Sequence, residues 1–274
     1  MWYVNVALNA LCDLLLFPFR GGGPWPAMLA MSCVTALLFV WAMRVFSNQR
    51  ALKRKKGQLL GRALELLMFR HDMVVTLTAL GRMAAANARY LKELLKPLAV
   101  VSVPTLLLLI QLAGSYEHRP YTVGEPVIVS VKFSDAFSVM QEDVTLRPSA
   151  GLELETAALR IPALQEMNWR LRARGAALAW VDVQTGEESL RKQVVIGEGL
   201  HRISDRRVRA GFWSELLHPG EPPLPRESPV ELIRVNAPPR LFEIGGVDLP
   251  WWLAFLVLTM IFGLIFGRVM RVSF

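Results

Sequence analysis

The sequence predicts a membrane α-helical protein, with three transmembrane helices plus a cytosolic helical hairpin, and an inserted all-β, sandwich-like extracytoplasmic domain. Three observations predict it. Apolar residues collect in three uninterrupted blocks, in a chain of 274 residues that is 53% hydrophobic and only 20% charged. A soluble domain of this size carries more charge. Positive charge gathers between the first two blocks, where residues 44–96 hold twelve Lys/Arg against three Asp/Glu. Between the second and third blocks the chain changes to short runs of alternating apolar and polar residues, with sixteen Lys/Arg against eighteen Asp/Glu over residues 116–247.

The elements follow in order. In residues 1–20, Asn5, Asn9 and Asp13 recur every four residues while Val4, Leu8, Leu11 and Leu15 occupy other faces. This pattern predicts an interfacial amphipathic helix. It lacks the basic start and small-residue cleavage site of a signal peptide. A poor fourth span is the alternative reading, but about sixteen residues before Pro18 are few for a crossing. Prolines and Gly21-Gly-Gly23 then form a hinge. The first span covers residues 27–46, with Trp25 and Trp41 as interfacial anchors.

Residues 47–96 read as a basic hairpin of two helices, broken at His71-Asp72, where Asp72 caps the second helix. In that helix Met73, Leu77, Leu80, Ala84, Asn87, Leu91 and Leu94 alternate spacings of four and three, a coiled-coil seam with one polar member. Leu52, Leu59, Ala63 and Leu66 offer the matching seam. The second span covers residues 97–113; its roughly 17 residues are short for a ~30 Å core, and Pro104 predicts a kink. Residues 115–247 form the β-rich domain, with strands expected at 127–133, 152–156, 168–173, 177–183 and 193–196, and a turn at 184–187. Residues 219–229 read as a rigid proline-rich connector. The third span covers residues 249–267 and a cytosolic tail covers 268–274.

Lys/Arg in short loops set orientation. They place residues 44–96 in the cytoplasm, the N-terminus and β domain outside, and the C-terminus inside, in agreement with Arg268 and Arg271. The sequence contains no Asn-x-Ser/Thr acceptor, which favours a bacterial inner membrane over the secretory pathway. Beside membrane spans the basic segment reports topology, so no specific nucleic-acid partner is expected.

No catalytic constellation is legible. His71, His118, His201 and His218 are scattered without zinc-helix spacing, and no nucleophile elbow, phosphate loop or dinucleotide fingerprint occurs. Cys12 and Cys33 make no disulfide framework. The expectation is a non-enzymatic protein with no cofactor and no metal. His201, Asp205 and Arg206-Arg207 read as an exposed polar loop. The notable residues are polar ones in the spans: Ser32 and Thr35 with Arg44 in the first, and Ser102, Thr105 and Gln111 in the second. The plain alternatives are that Ser and Thr bond their own helix and that Arg44 snorkels to the headgroups.

The order of an outer amphipathic helix, a span ending Trp41-Ala-Met-Arg44, the run Asn48-Gln-Arg-Ala-Leu-Lys-Arg-Lys-Lys56, a cytosolic hairpin and a second span resembles the YidC/Oxa superfamily of membrane-protein insertases. The three-span archaeal and endoplasmic-reticulum branch is the nearest in layout. The β domain between spans two and three departs from it. The resemblance implies an insertase or chaperone with a polar, cytosol-facing groove carrying an intramembrane arginine. Arg44 would take that place, with Thr35, Ser32, Ser102 and Thr105 lining the groove. Lys53, Arg54, Lys55 and Lys56 would recruit clients. The implied partners are the bilayer, nascent membrane proteins, and the ribosome or another membrane subunit. The rival expectation is a membrane-anchored scaffold whose outer β domain binds a partner protein; a transporter or channel subunit is a third.

Overall fold

The structure, a computed structural model, describes residues 2–19, 23–46, 54, 57–58, 60–61, 64, 73–175 and 177–270. Five labelled helices occur among them: α1 (Trp2–Leu16), α2 (Pro24–Phe46), α3 (Met73–Tyr116), α4 (Phe212–Leu217) and α5 (Trp251–Val269). Three segments are long and apolar enough to cross a membrane: Pro24–Phe46, Leu98–Tyr116 and Trp251–Val269. A multi-pass membrane protein fits these lengths.

Two expectations about the second span change. The hairpin's second helix and the span are one unbroken helix, α3. Pro97 and Pro104 each lack an N–H, yet in apolar surroundings the remaining backbone bonds are too valuable to abandon, so a proline is carried within the helix. The apolar segment also has 19 residues, about 28 Å of rise, which nearly matches the hydrocarbon core. The helix runs on through Gly114, where an added Cβ would meet the Arg202 side chain in ordinary van der Waals contact.

The β domain contains eleven labelled strands. The larger sheet has the order β3 (Leu152–Leu154), β5 (Glu166–Ala173), β1 (Pro126–Phe133), β9 (Val230–Val235), β8 (Arg206–Val208), with β4 (Leu159–Ile161) also paired to β5. A second sheet has the order β2 (Val144–Pro148), β6 (Ala177–Thr185), β7 (Glu188–Ile196). All these pairs are antiparallel. Alternation fixes the inner faces: Val127, Val129, Val131 and Phe133 of β1 are fully buried. They share one core with Trp169 and Leu171 of β5, Val181 and Val183 of β6, and Leu190 and Val194 of β7. Two antiparallel sheets around a common core make the expected sandwich. Gly186, at φ 59°, forms the tight turn between β6 and β7.

Strand β9 was not anticipated, although it lies beside β1 inside the larger sheet; the prolines before it mask its start. The remaining strands, β10 (Leu241–Ile244) and β11 (Val247–Pro250), pair as a hairpin. Leu249 and Pro250 therefore belong to β11, and the third span begins at Trp251 rather than 249.

By internal contacts the chain divides into two units: Met1–Ala27 with Leu108–Ala254, and Met28–Leu107 with Phe255–Phe274. The first, the β unit, includes the adjoining ends of all three apolar helices. The second, the helical unit, contains the rest of those helices and the remainder of α3.

Candidate functional site

Within the β unit, the polar stripe of α1 finds protein rather than water. Asn5 is fully buried, and its Nδ2 donates to the Glu215 carbonyl at 2.5 Å. Asn9 Nδ2 donates to the Pro219 carbonyl at 2.8 Å. Arg202 reaches the same stripe from the loop after β7: its guanidinium donates to Asn9 Oδ1, to Asp13 Oδ1 at 3.2 Å and to Gln111 Oε1 at 3.4 Å. Gln111 is buried in α3. One arginine thus ties α1, the end of the second apolar helix and the sandwich together by charge-assisted bonds. An aromatic group adds to this. Tyr116 stacks on Trp251 at 6.5 Å and meets Phe242 at 6.1 Å, and Trp25 makes an edge contact with Phe242 at 5.1 Å.

Beside this junction lies a concavity of about 180 Å³ lined by Ile110, Gly114, His118, Asp205, Arg206 and His218, among others. Burial would raise the Asp205 carboxyl, but the Arg206 guanidinium, helped by His118 and His218, holds it below the ordinary range. Among the described residues no His/Cys/Asp/Glu group has metal-binding geometry. His201 stays exposed and faces the Glu198 carbonyl at 3.0 Å. The expected exposed polar loop therefore holds for His201, whereas Asp205, Arg206 and Arg207 are only partly exposed. The proline-rich segment is also tied down. Lys192, with no exposed surface, donates to Glu221 Oε1 at 2.5 Å and to the Ser204 carbonyl at 2.7 Å. Burial pushes the Lys192 ammonium down, against the pull of Glu221.

In the helical unit the residues expected to form a polar groove do not come together around Arg44. Arg44 is exposed in the last turn of α2, where a cation suits the helix dipole. Thr35 lies nine residues earlier, about half a turn around the helix from Arg44. Thr35 is buried and its hydroxyl donates to the Met31 carbonyl at 2.7 Å. Ser32 is fully buried and its hydroxyl has no partner among the described residues. Ser102 donates to the Ala99 carbonyl at 2.9 Å, and Thr105 is partly buried. Arg44 shares its face of α2 with Leu37 and Trp41, both exposed apolar residues. This exposed, apolar setting favours the snorkelling alternative over the groove for Arg44. Of the recruitment residues, Arg54 is helical and exposed; Lys53, Lys55 and Lys56 lie outside the described residues.

The expected seam of α3 is uncovered at its described positions; Leu52, Leu59, Ala63 and Leu66 of the facing helix and the side chains of Met73 and Leu94 lie outside the described residues. Asn87 is exposed, and so are Leu77, Leu80, Ala84 and Leu91. The less exposed positions are Met83, Ala86 and Tyr90, one residue out of phase. Alanines at 84, 85, 86 and 88 make every rotation of this helix comparably apolar, so spacing alone could not choose the packed face. The apolar line does not stop at the hairpin. Leu95, one residue past the seam position Leu94, and Leu98 are exposed too, and Ser102 follows four residues after Leu98.

Compared with models of known protein families, with curated proteins and with solved structures, the chain matches none of them.

Proposed function

We propose that this protein is an Oxa/YidC-like insertase or chaperone for membrane proteins, non-enzymatic, in which the exposed apolar line of α3 receives the client. The observation that carries this reading is the run Leu77, Leu80, Leu91, Leu95, Leu98 on a single helix, exposed throughout. It leads from a segment rich in arginine and lysine into the apolar stretch Leu98–Tyr116. A hydrophobic client segment costs about 0.8 kcal/mol per exposed CH₂ in water. A line of leucines, interrupted by Ala84 and Asn87, would keep it covered from the basic segment to the bilayer, and Ser102 offers a hydroxyl for a polar group on the way. Arg44 serves as an anchor in this mechanism. The basic segment lies in the cytoplasm of a bacterial inner membrane, with the β domain on the other side.

Photocrosslinkers at Leu80, Leu91 and Leu98, used during synthesis of a model membrane protein in the presence of vesicles containing this protein, test the reading. Adducts to the nascent chain should appear first at Leu80 and later at Leu98 as the chain lengthens. Adducts independent of chain length, or none, would sink it. Cysteines at Gln58 and Glu187 should react with impermeant reagents from opposite sides; reaction from one side would refute the topology.

The second reading is a membrane-anchored scaffold. The exposed Leu178 and Trp180 on β6 favour it, because they place apolar surface on the outside of the sandwich. A stable complex retained by the β domain, together with unlabelled α3 positions, would select it.

A further inference from the structure

The β domain carries an apolar projection whose chemistry is inverted for a part of a sandwich in water. Helix α4 turns its polar groups inward: Ser214 Oγ donates to the Arg209 carbonyl at 2.9 Å, and the Glu215 carbonyl accepts from Asn5. Its apolar side chains point out, with Phe212, Trp213 and Leu217 exposed by 54%, 69% and 53%. The Phe212 and Trp213 rings meet edge to face at 5.1 Å. Helix α1, to which α4 is bonded, is inverted in the same sense. Asn5, Cys12 and Leu16 are buried, while Leu11, Leu14, Leu15 and Phe17 are exposed.

The geometry points to α4 and α1 together forming a membrane-embedded foot of the β domain, with the interfacial layer of a phospholipid bilayer as its occupant. Two observations choose lipid. The polar stripe of α1 is consumed by Glu215, Pro219 and Arg202, so water is not the phase that the outer face of this helix was built for. The unit that carries the foot also holds the start of a candidate span: Trp25, in the first turn of α2, packs on Phe242. The first turn of α2, residues 24–27, therefore belongs to the same unit as the foot. Trp and Phe on a short projection suit the interfacial layer, where an amphipathic ring is favoured. The inference is independent of the client-handling reading, since a scaffold would need the same foot.

The full-length protein in nanodiscs of phosphatidylcholine and phosphatidylglycerol, doped with a diazirine phospholipid, tests this. After photolysis, peptides containing Phe212–Leu217 and residues 6–17 should carry lipid adducts within a few-fold of the yield on α5. The turn at Gly186-Glu187 should stay at background. Adducts on α4 no more frequent than at Gly186 would overturn the proposal. A nitroxide on Leu217→Cys, with Cys12 and Cys33 both replaced by Ala, gives a second measurement. Collision with oxygen should exceed collision with a water-soluble nickel chelate. The reverse order would overturn the proposal, as would strong dipolar broadening between two labelled chains, which would mean a second copy covers the foot.

Discussion

The two units of this chain solve the same problem in opposite ways. In the β unit, side chains complete one another. Arg202 serves Asn9, Asp13 and Gln111, the buried Lys192 is matched by Glu221, and four aromatic rings close the ends of the apolar helices. In the helical unit the surface stays open. Leucines along α3 are exposed, and within the three apolar windows only 17% to 39% of residues are buried. A structure that satisfies itself needs no further partner to be stable. A structure that leaves leucines exposed depends on lipid or on another chain to cover them. The polar staples thus sit in the β unit, and outside α1 and α4 the long runs of uncovered apolar surface sit in the helices.

The strongest break in this comparison comes from Glu221. Removing it leaves the Lys192 ammonium buried without its partner, so Glu221→Ala should cost the β unit about 3–5 kcal/mol. Lys192→Met with Glu221→Gln replaces the pair by neutral groups and should be near neutral. Hydrogen exchange across β6 and β7 of the full-length protein in nanodiscs reads both. If the two variants behave alike, the pair is not the staple it is taken for.

Next in size is the α3 line. Leu80→Asp combined with Leu91→Asp removes two leucines worth about 2 kcal/mol each on burial. Client crosslinking should fall at least tenfold, a loss of about 1.4 kcal/mol or more, while exchange in the sandwich is unchanged. Unaltered capture would place recognition elsewhere.

Arg202→Ala removes charge-assisted bonds to α1, each about 1.5–3 kcal/mol. The expected outcome is selective: faster proteolysis and exchange in residues 2–16 with the sandwich core intact. Protection of α1 at parental level would show that its apolar face alone holds it.

A smaller effect tracks pH. Glu125 accepts two bonds from Arg119 and one from the Thr122 N–H. The Arg119 bonds hold its carboxyl at about 2, with burial opposing. The folded value lies below the unfolded one of roughly 4.3. Its stabilisation is therefore complete above that value and is lost as pH falls towards 2. Asp205, also lowered, has the same sign. Thermal unfolding of the β unit should hold steady from neutral pH to about 5 and decline below about 4. Glu125→Gln should flatten the acid part of that profile.

The smallest expected effect is at Arg44. As a snorkelling anchor, Arg44→Ala and Arg44→Lys should change insertion by less than about threefold, under 1 kcal/mol. A tenfold loss in Arg44→Ala alone would restore the polar groove that its exposure argues against.

Much of the architecture was legible because its signals are local. A block of about twenty mostly apolar residues excludes water wherever it ends up, and the alternation in 127–133 fixes an inner face once any sheet forms around it. Short or proline-preceded strands such as β4, β8 and β9 were not legible, because three to six residues carry too little pattern. Element ends also shifted where neighbours decided them, as at Leu249-Pro250 beside β10.

The sequence by itself determined the three apolar helices, the basic segment between the first two, and the β character of the region that follows, since composition and periodicity act within a few residues. Only the tertiary structure decided which faces are covered. The Asn5–Asn9–Asp13 stripe is equally a water-facing or a protein-facing pattern until Arg202 and the carbonyls of Glu215 and Pro219 arrive from about 200 residues away. Helix α3 is apolar on several faces, so packing, not spacing, left Asn87 and the leucines beside it exposed. Arg44 is placed by the rotation of α2, which Ala36, Val40 and Met43 set by being buried. Burial is a property of neighbours, and neighbours distant in sequence leave no trace in local spacing.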